Sequence, residues 1–321
     1  MSSGQSDPQS IPPPRAGAYP DVCAVVVTYN PDSSFEENVR ALLPQVGKLI
    51  IVDNQSAPAA HPLIARAAAS PDVEVIWNEQ NLGIAGGLNK GIERALSSGQ
   101  FSWVATFDQD SRAPADYFAA IFAAYSACPF RDQVGLIGAN HTEWTEHDRH
   151  SSGPPERFVL REIKTAMTSG SLVKTSVFGS CGRYDESLFM DYVDHEFCLR
   201  LRKHGFRVIQ AQNAVLAHQL GSPTSHRFLG KRFRTSNHSA SRRYHNARNR
   251  LLVYGRYFSS EMSWVLNDAF GWLRETVKVS LVERDRAEKL RCMAKGAWHA
   301  MLELLGIRKK ASGGDGEQGG Q

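Results

Sequence analysis

Five short apolar runs constrain the fold of this chain more than any other feature of its sequence. In chain order they read VCAVVVTYN, KLIIVDNQS, VEVIWNE, SWVATFDQDS and QVGLIGAN, and each is near-continuous rather than alternating. Stretches with helical periodicity separate them. Strands that are apolar on both sides belong to parallel sheets that helices cover on both faces. The pattern therefore predicts an α/β fold with an open, mostly parallel sheet.

The intervening helices are predicted at residues 35–43, 61–69, 86–98 and 116–127. In the third of them Leu88, Ile92 and Leu96 share one face, and Gly99 follows as a C-cap. Hydrophobic residues make up 42% of the chain and charged residues 22%, as in an ordinary globular protein with a packed core. The net charge of +4 does not make the chain as a whole a nucleic-acid binder.

Polar residues follow four of the predicted strands. They are Thr28, Tyr29, Asn30, Asp53, Asn54, Asn78, Asp108, Gln109 and Asp110. Asn and Asp at the end of a single strand are common turn formers. Ligands of open α/β sheets, however, bind beyond the carboxyl ends of the strands. Four polar strand ends that meet at one edge therefore predict a binding site there.

The usual glycine-rich phosphate motifs are absent from the sequence. Asn30 and Pro31 follow the first strand in place of G-x-G-x-x-G, and no G-x-x-x-x-G-K-[ST] occurs. A phosphate ligand would therefore need a metal ion, which Asp108 and Asp110 could hold. Carboxylates suit Mg²⁺ and Mn²⁺, and such ions commonly bridge to a diphosphate.

Four of these motifs together resemble a known enzyme family. TYN, IVDNQS, NEQNLGIAGGLNKGI and FDQD follow the first four strands in that order. Their order and spacing resemble the inverting family 2 glycosyltransferases of the GT-A fold, over about residues 22–222. The form TFDQDS is most similar to the bacterial rhamnosyltransferase branch of that family.

The resemblance implies roles for the donor side of the site. It gives Asp53 the nucleotide base, where the carboxylate would accept the N3–H of uracil or thymine, and it leaves UDP and dTDP as alternatives. Glycines at the start of the third helix would let the backbone approach the diphosphate or sugar; a simple helix-initiating turn is the alternative. The predicted donor-binding residues are Thr28, Tyr29, Asn30, Asp53, Asn81, Gly83, Gly86, Gly87, Asn89, Asp108 and Gln109.

The same resemblance implies a divalent metal, Mn²⁺ or Mg²⁺. Asp110 is the first predicted ligand, Asp108 contacts ribose or metal, and His218 would complete the metal shell. A lone His after a strand is more often structural. As a ligand it would favour Mn²⁺, which accepts imidazole better than Mg²⁺ does.

The resemblance also places the catalytic base in an acidic segment before a predicted helix that ends at Gly205. Many relatives read Glu-Asp where this chain has Val193 and Asp194, so Asp194 is the predicted base and Asp191 the second candidate. Glu196 is assigned to the acceptor side. Acids in a first helical turn also stabilise the helix dipole, which is the alternative explanation.

The acceptor side is predicted from two further segments. A small polar loop is predicted to lead into a helix, and it could bind anionic groups or simply cap that helix. It consists of Thr168, Ser169, Gly170 and Ser171. Tyr244, Arg248 and Asn249 match a Y-x-x-x-R-N pattern that many relatives carry after the catalytic domain. The resemblance places this pattern beside the acceptor or the diphosphate.

Residues 197–260 contain no Asp or Glu but thirteen Arg and Lys. An unmixed block of this kind predicts an anionic partner, because a solvated helix face normally mixes both signs. The candidates are the donor diphosphate, a lipid-diphosphate acceptor at a membrane surface, and nucleic acid. No nucleic-acid reader motif accompanies the charge, so nucleic acid is not expected.

The chain is predicted to divide into a disordered segment at 1–20, a catalytic domain at 21–225, a basic and mainly helical region at 226–311, and a disordered tail at 312–321. Trp264, Trp272 and Trp298 lie among Lys and Arg in two amphipathic helices of the basic region. These helices form either an interfacial surface on a membrane or a packed subdomain, including a homo-oligomer interface.

The five cysteines are far apart and form no C-x-x-C pair, which fits a reducing compartment. No apolar run reaches about 18 residues, and the N-terminal segment lacks the apolar core of a signal peptide. We therefore expect a cytoplasmic location, with a peripheral position on the inner face of the cell membrane left open.

The predicted function is metal-dependent, inverting transfer of a sugar, first of all L-rhamnose from dTDP-rhamnose, to a hydroxyl of a lipid-linked or nascent cell-surface polysaccharide. A UDP-sugar-dependent galactosyl, galactofuranosyl or glucosyl transferase is the first alternative. A non-catalytic module that binds nucleotide sugars is the second, favoured only by the missing acid before Asp194.

Overall fold

The computed structural model describes residues 19–143, 160–218, 224–228, 231–235 and 237–307. Its strands are β1 (Tyr19–Thr28), β2 (Val46–Asp53), β3 (Val73–Trp77), β4 (Trp103–Asp108), β5 (Ser111–Arg112), β6 (Val134–Glu143), β7 (Leu160–Ile163), β8 (Ser171–Lys174), β9 (Arg207–His218), β10 (Thr224–Phe228) and β11 (Lys231–Thr235). Its helices are α1 (Phe35–Leu42), α2 (His61–Ala67), α3 (Gly83–Ser97), α4 (Tyr117–Ser126), α5 (Thr175–Cys181), α6 (Val193–Lys203), α7 (Ala240–Tyr257), α8 (Met262–Val282) and α9 (Arg286–Leu304).

Strands β1 to β9 form one sheet in the order β3-β2-β1-β4-β8-β6-β9-β5, with β7 paired to β9. Strands β1, β2, β3 and β4 run parallel, as do β6 and β9. The short strand β8 is antiparallel to both β4 and β6. The predicted open, mostly parallel sheet is therefore confirmed.

Two hydrophobic cores lie on opposite faces of this sheet. Alternate residues of β1 enter different cores: Val25 and Val27 pack with α3, α5 and α6, whereas Ala24 and Val26 pack with α1, α2 and α4. Burial on both faces explains why the strands are apolar throughout. Each such side chain contributes about 1.5–3 kcal/mol through its removal from water.

The register of the parallel strands brings their carboxyl ends together. Thr28 pairs with Asp53, Asp53 pairs with Trp77, and Val27 pairs with Asp108 across neighbouring strands. The polar strand ends predicted from the sequence therefore lie along one edge of the sheet.

The C-terminal region consists mainly of α7, α8 and α9. Helices α7 and α9 pack closely at Gly296, where a Cβ atom would lie 2.4 Å from the carbonyl oxygen of Tyr244. Among the described residues, no helix combines the length and the apolar character needed to cross a bilayer.

One predicted element differs from the structure, and one predicted domain boundary falls inside a strand. The polar loop at 168–171 leads into β8 rather than into a helix, because Ser171 begins that strand and α5 starts only at Thr175. The predicted domain boundary at 225 falls inside β10, and the division into domains stays a prediction. The predicted disordered segments lie outside the described residues, apart from residues 19 and 20.

Candidate active site

Asp53 is fixed at the edge of the sheet by a ring of hydrogen bonds. The carboxylate of Asp53 is buried and accepts from Ser56, through the backbone N–H at 2.9 Å and the hydroxyl at 2.5 Å. The Ser56 oxygen accepts in turn from the N–H of Asn30 at 2.7 Å. Asn30 has a φ of 47°, and its Oδ1 accepts from the N–H of Ala57 at 2.8 Å. These bonds join the ends of β1 and β2 and hold Asp53 as a fixed acceptor.

Gln109 joins the end of β4 to the end of β1. Its Oε1 accepts from the hydroxyl of Thr28 at 2.9 Å and from the N–H of Tyr29 at 2.7 Å. Its backbone oxygen accepts from Asn38 at 3.0 Å. The side-chain oxygen of Gln109 is therefore used within the protein, while the ring of Tyr29 is exposed at the sheet edge.

The predicted donor-binding glycines lie where α3 packs tightly against its neighbours. Gly83 has a φ of +68°, and a Cβ atom there would lie 2.4 Å from the carbonyl oxygen of Phe189. The Oδ1 of Asn81 accepts from the N–H of Gly83 at 2.9 Å. A Cβ atom on Gly87 would lie 2.8 Å from the side chain of Val27. Close packing thus accounts for these glycines, and their predicted contact with the donor stays a prediction.

Gly86 and Asn89 have similar packing contacts. A Cβ atom on Gly86 would lie 2.6 Å from the Cβ of Leu82. The buried amide of Asn89 donates to the carbonyl of Tyr184 at 2.9 Å and to Glu186 at 2.8 Å. Asn89 therefore ties α3 to the segment that precedes the predicted catalytic base.

The predicted metal ligands come together only in part. Asp108 and Asp110 are half-buried at the end of β4. Ser111, directly after Asp110, pairs with His218 in the register of β5 and β9, so the backbone of His218 lies beside this segment. The side chain of His218 lies outside the described residues. In the described part of the chain no group of three or more His, Cys, Asp or Glu side chains is arranged to hold a metal ion.

The polar loop at 168–171 is anchored to the neighbouring strands. The carbonyl of Thr168 accepts from the hydroxyl of Thr106 at 2.6 Å, and the N–H of Gly170 donates to the carbonyl of Thr106 at 2.7 Å. The hydroxyl of Ser169 contacts that of Ser111 at 2.6 Å and accepts from the N–H of Asp108 at 3.1 Å. The loop therefore supports the segment that carries Asp108 and Asp110.

The segment 185–192, here called the acid loop, precedes α6 and has an unusual backbone. Phe189, Asp191 and Tyr192 have φ values of 58°, 56° and 65°. Residues other than glycine rarely adopt a positive φ. Each residue held there costs of order 1–3 kcal/mol, and such residues cluster at functional sites. Surrounding contacts must therefore hold the acid loop in place.

Asp194 and Asp191, the two candidate bases, differ in their partners. Asp191 accepts from Arg242, at 3.0 Å from Nη2 and 3.2 Å from Nε. Asp194 is half-buried in the first turn of α6, and its Oδ1 accepts from the N–H of His195 at 2.8 Å. Asp191 is thus held in an ion pair, whereas Asp194 shows a single backbone contact.

Arg242 lies at the start of α7, within electrostatic reach of three predicted site acids. Burial lowers the pKa of its guanidinium, but the negative charges of Asp191, Asp108 and Asp194 outweigh burial and raise it. These carboxylates belong to β4, the acid loop and α6. Arg242 therefore pairs with the acid loop and also interacts electrostatically with an acid of the donor edge.

Two residues of the Y-x-x-x-R-N motif in α7 donate hydrogen bonds to the backbone of the acid loop. The fully buried amide of Asn249 donates to the carbonyl oxygens of Leu188, Met190 and Asp191 at 2.6, 2.7 and 3.1 Å. Arg248 donates to the carbonyl of Ser187 at 3.0 Å. The structure uses the polar groups of this motif within the protein, and a contact with the acceptor stays a prediction.

Arg248 and Tyr244 also connect α7 to α9. The guanidinium of Arg248 pairs with Glu303 at 2.9 Å, and both side chains are buried. The hydroxyl of Tyr244 contacts Nδ1 of His299 at 2.8 Å. On the other side of the acid loop, the N–H of Ile84 in α3 donates to the carbonyl of Phe189 at 2.8 Å. The loop is therefore clamped between α3 and α7.

Glu196, predicted on the acceptor side, is buried in a structural ion pair. Its carboxylate pairs with Arg200 at 2.7 Å and accepts from the hydroxyl of Tyr257 at 2.8 Å. These contacts join α6 to α7, two residues after Asp194.

Among the described side chains of the basic stretch at 197–260, most cations are paired with carboxylates. Eight of its thirteen cations pair with carboxylates from outside the stretch: Arg200 with Glu196, Arg202 with Glu261, Arg207 with Glu162, Arg242 with Asp191, Arg243 with Glu275, Arg248 with Glu303, Arg250 with Asp268, and Arg256 with Asp185. The fold brings acids from distant segments to these arginines, which sequence order alone does not reveal.

Sequence reasoning did not single out Arg242, Ser56 or Tyr192 for the site. Ser56 follows Asp53 by three residues, a spacing typical of a capped turn, and could have been found. Arg242 was hidden among the other cations. The hydroxyl of Tyr192 donates to Asp268 of α8 at 2.6 Å, a contact with no local sequence signal.

The family of the chain follows from comparison with known proteins. The family described as Glycosyl transferase family 2 matches residues 23–184, about half of the chain. The chain therefore belongs to this glycosyltransferase family, as the resemblance predicted.

Two curated proteins are similar in sequence. The dTDP-rhamnosyl transferase RfbF of Shigella flexneri is 27% identical over 313 residues, which cover 92% of this chain and 98% of that protein. The low-salt glycan biosynthesis hexosyltransferase Agl10 of Haloferax volcanii is 22% identical over 206 residues, covering 60% of this chain and 65% of that protein. The first relative belongs to the branch that the TFDQDS motif resembles.

Solved structures share the fold. TarS 1–349 of S. aureus in complex with UDP-GlcNAc has a TM-score of 0.58 at 11% identity, covering 89% of this chain and 83% of that one. GalNAc-T7 with UDP, GalNAc and Mn²⁺ has a TM-score of 0.55 at 11% identity, covering 88% of this chain and 56% of that one. The predicted GT-A type fold with a C-terminal helical region is confirmed.

Proposed function

We propose that this family 2 glycosyltransferase transfers L-rhamnose from dTDP-rhamnose, with inversion, to a hydroxyl of a lipid-linked or nascent cell-surface glycan. The observation that carries the proposal is the position of the acidic segment beside the donor edge: Arg242 pairs with Asp191 at 3.0 Å, and its charge also interacts with those of Asp108 in β4 and Asp194 in α6. The similarity to a dTDP-rhamnosyl transferase over 92% of the chain supports the choice of donor.

Asp194 is the proposed general base. A sugar hydroxyl is a poor nucleophile at neutral pH, so a positioned carboxylate must take its proton as the new bond forms. Asp191 is less suited because Arg242 binds its carboxylate. A base opposite the leaving diphosphate gives a single displacement, and hence inversion at the anomeric carbon.

Asp53 is the proposed acceptor for the imide N–H of the pyrimidine base. Its two hydrogen bonds from Ser56 fix the carboxylate. Tyr29, exposed at the same edge, is proposed to lie against the base or the ribose.

Asp108 and Asp110 are the proposed ligands of a divalent cation, with His218 as a third. Two half-buried carboxylates separated by one residue provide hard oxygen ligands, which fit Mg²⁺ or Mn²⁺. When bound, such an ion would stabilise the charge of the departing diphosphate. Replacing Asp110 by Ala should weaken donor binding measured with Mn²⁺, and an unchanged affinity would reject Asp110 as a ligand.

The non-catalytic alternative rests on the missing acid before Asp194. Val193 at this position is buried and packs in the hydrophobic core. Its apolar side chain therefore has a structural role, which favours the catalytic proposal.

The first experiment is a calorimetric titration of the protein with dTDP-rhamnose, UDP-galactose, UDP-glucose and GDP-mannose, with Mn²⁺ and then with EDTA. We expect metal-dependent binding of dTDP-rhamnose. Preference for a UDP-sugar would reject the rhamnosyl assignment. Asp194→Asn should bind the donor normally yet lose transfer by about 10²–10⁴-fold; lost donor binding would instead give Asp194 a structural or metal role.

A further inference from the structure

Helix α8 exposes a continuous apolar stripe, here called the outer stripe. Its members are Met262, Leu266, Phe270, Leu273, Val277 and Leu281. Each is between 49% and 62% exposed. At 3.6 residues per turn, their spacing confines them to an arc of about 100° over a length of about 28 Å. Soluble proteins seldom expose a contiguous apolar surface of this size without a partner.

The acids of α8 and of its C-cap face the protein, away from the outer stripe. Asp268 pairs with Arg250 at 3.1 Å, and Glu275 pairs with Arg243 at 2.5 Å. Glu283, which caps the helix, pairs with Arg243 at 2.8 Å. All three carboxylates are therefore neutralised by cations of the C-terminal region.

The cations of α8 lie on the outside instead. Arg274 is exposed and Lys278 is partly exposed. Helical geometry places both along one edge of the outer stripe. The outward part of α8 therefore combines an apolar strip with positive charge alone, the combination found in helices that lie in the interface of a membrane.

We propose that the outer stripe binds the surface of a bilayer that contains anionic phospholipids. The apolar side chains would enter the boundary between headgroups and acyl chains, while Arg274 and Lys278 contact lipid phosphates. A second copy of this chain fits less well. In an antiparallel pair of α8 helices related by a two-fold axis, the two basic edges would face each other.

The inner face of the same helix touches the catalytic segment. The hydroxyl of Tyr192 in the acid loop donates to Asp268 at 2.6 Å, and the ring of Trp264 lies 5.4 Å from that of His195, next to Asp194. Since an α-helix is about 10–12 Å across, the lipid surface would lie about one helix diameter from the acid loop. This consequence for a lipid-linked acceptor rests on the proposed function, whereas membrane binding itself does not.

Cosedimentation with vesicles tests the proposal. Vesicles of phosphatidylcholine and phosphatidylglycerol, 3:1, should bind the protein, and pure phosphatidylcholine should bind it more weakly. The double variant Phe270→Gln/Leu273→Gln should lose binding roughly tenfold to a hundredfold, because two half-exposed apolar side chains are removed. The matched control is Trp77→Gln, which removes an exposed aromatic on β3 and should bind like the wild type.

The charged edge has its own test. Arg274→Gln/Lys278→Gln should weaken binding roughly fivefold per charge at low salt. The difference should disappear at high salt, which screens it. Circular dichroism should show all variants folded, as expected for exposed substitutions.

Two results would overturn the proposal. One is equal vesicle binding by the wild type and the outer-stripe variant. The other is no vesicle binding by the wild type; a wild-type dimer in sedimentation velocity that the outer-stripe variant converts to a monomer would then assign the outer stripe to self-association. Donor titration without vesicles separates this failure from failure of the proposed function, because it does not involve α8.

Discussion

The donor edge and the acid loop are built in different ways. At the donor edge, Asp53 takes both of its hydrogen bonds from Ser56, three residues away, and Asn81 caps Gly83 two residues on. In the acid loop, the carbonyls of Leu188, Met190 and Asp191 are held by Asn249, 58 to 61 residues downstream. One half of the site is arranged by its own strand ends, and the other by a helix of a different region.

This difference has an energetic meaning. At the donor edge the sheet register already places the strand ends, and contacts between those ends, such as Thr28 to Gln109 and Asn30 to Ser56, complete the arrangement. The acid loop contains three left-handed residues other than glycine, and each adds strain that surrounding contacts must offset. The C-terminal helices therefore help to position the segment before Asp194, the proposed base.

The largest expected effect is at the buried pair of Arg248 and Glu303. Arg248→Met leaves the carboxylate of Glu303 buried without its cation, which should lower the free energy of unfolding by about 3–5 kcal/mol. It also removes the hydrogen bond to Ser187, so kcat should fall about a hundredfold. Denaturant unfolding and steady-state kinetics measure the two effects.

The double variant Arg248→Met/Glu303→Met separates stability from positioning. Replacing both charges by apolar side chains should restore most of the stability, because an unpaired buried charge no longer remains. The value of kcat should stay low, since the contact with the acid loop is still missing. Recovery of full activity would show that Arg248 acts through stability alone.

The next effect is expected at Asn249. Asn249→Ser removes the amide that three carbonyls of the acid loop share, which should cost about 2–3 kcal/mol of stability. The value of kcat should fall about a hundredfold while the Kd of the donor stays within twofold. Asn246→Ser on the same helix, which loses only a 3.5 Å contact with Asp191, is the matched control. Equal losses in both variants would contradict the clamp.

At the donor edge, a change of charge should act on binding rather than on rate. Asp53→Asn keeps the shape of the side chain but loses the charged acceptor for the pyrimidine N–H. The Kd of the donor should rise about tenfold, or about 1.4 kcal/mol, with kcat at saturating donor nearly unchanged. Calorimetry with the preferred nucleotide sugar measures this, and an unchanged Kd would remove Asp53 from the base site.

The same comparison explains what the sequence could reveal. The polar strand ends, Asp53 among them, were predictable because the strand pattern encodes them, whereas attention to the acidic segment at 191–194 came from the family resemblance. The clamp was not, because the partners of Asn249 are backbone carbonyls, which every residue has. The ion pairs of the basic stretch were hidden for a related reason: Arg250 and Asp268 meet only once α7 and α8 are packed.

A smaller, pH-dependent effect is expected at Glu261, the N-cap residue of α8. Burial raises the pKa of Glu261, but hydrogen bonds and charge from Lys164 and Arg202 outweigh burial and lower it below the ordinary 4.5. A carboxylate whose pKa is lower in the folded than in the unfolded protein stabilises the fold at any pH above its unfolded-state pKa. This stabilisation is lost as the pH falls through the folded-state pKa.

Glu261→Gln should therefore cost about 1 kcal/mol of stability at pH 7, where two charged hydrogen bonds are weakened. The difference from the wild type should shrink as the pH falls below 4.5. Urea unfolding at several pH values measures it. A difference that grows toward acid pH would mean that the pKa of Glu261 is raised in the folded protein.

The smallest effect is expected for the ion pair of Arg94 and Glu74 in the donor half. Like Arg248 and Glu303 it joins an arginine to a glutamate, but it is exposed rather than buried. Arg94 lies 2.6 Å from Glu74, and both side chains reach solvent. Because water screens such a pair, Arg94→Gln should change the free energy of unfolding by less than about 0.5 kcal/mol. Denaturant unfolding of this variant beside Arg248→Met compares the same kind of bond in the two halves. Equal losses would show that burial around the acid loop adds nothing, and the distinction between a locally built donor edge and a remotely clamped acid loop would fail.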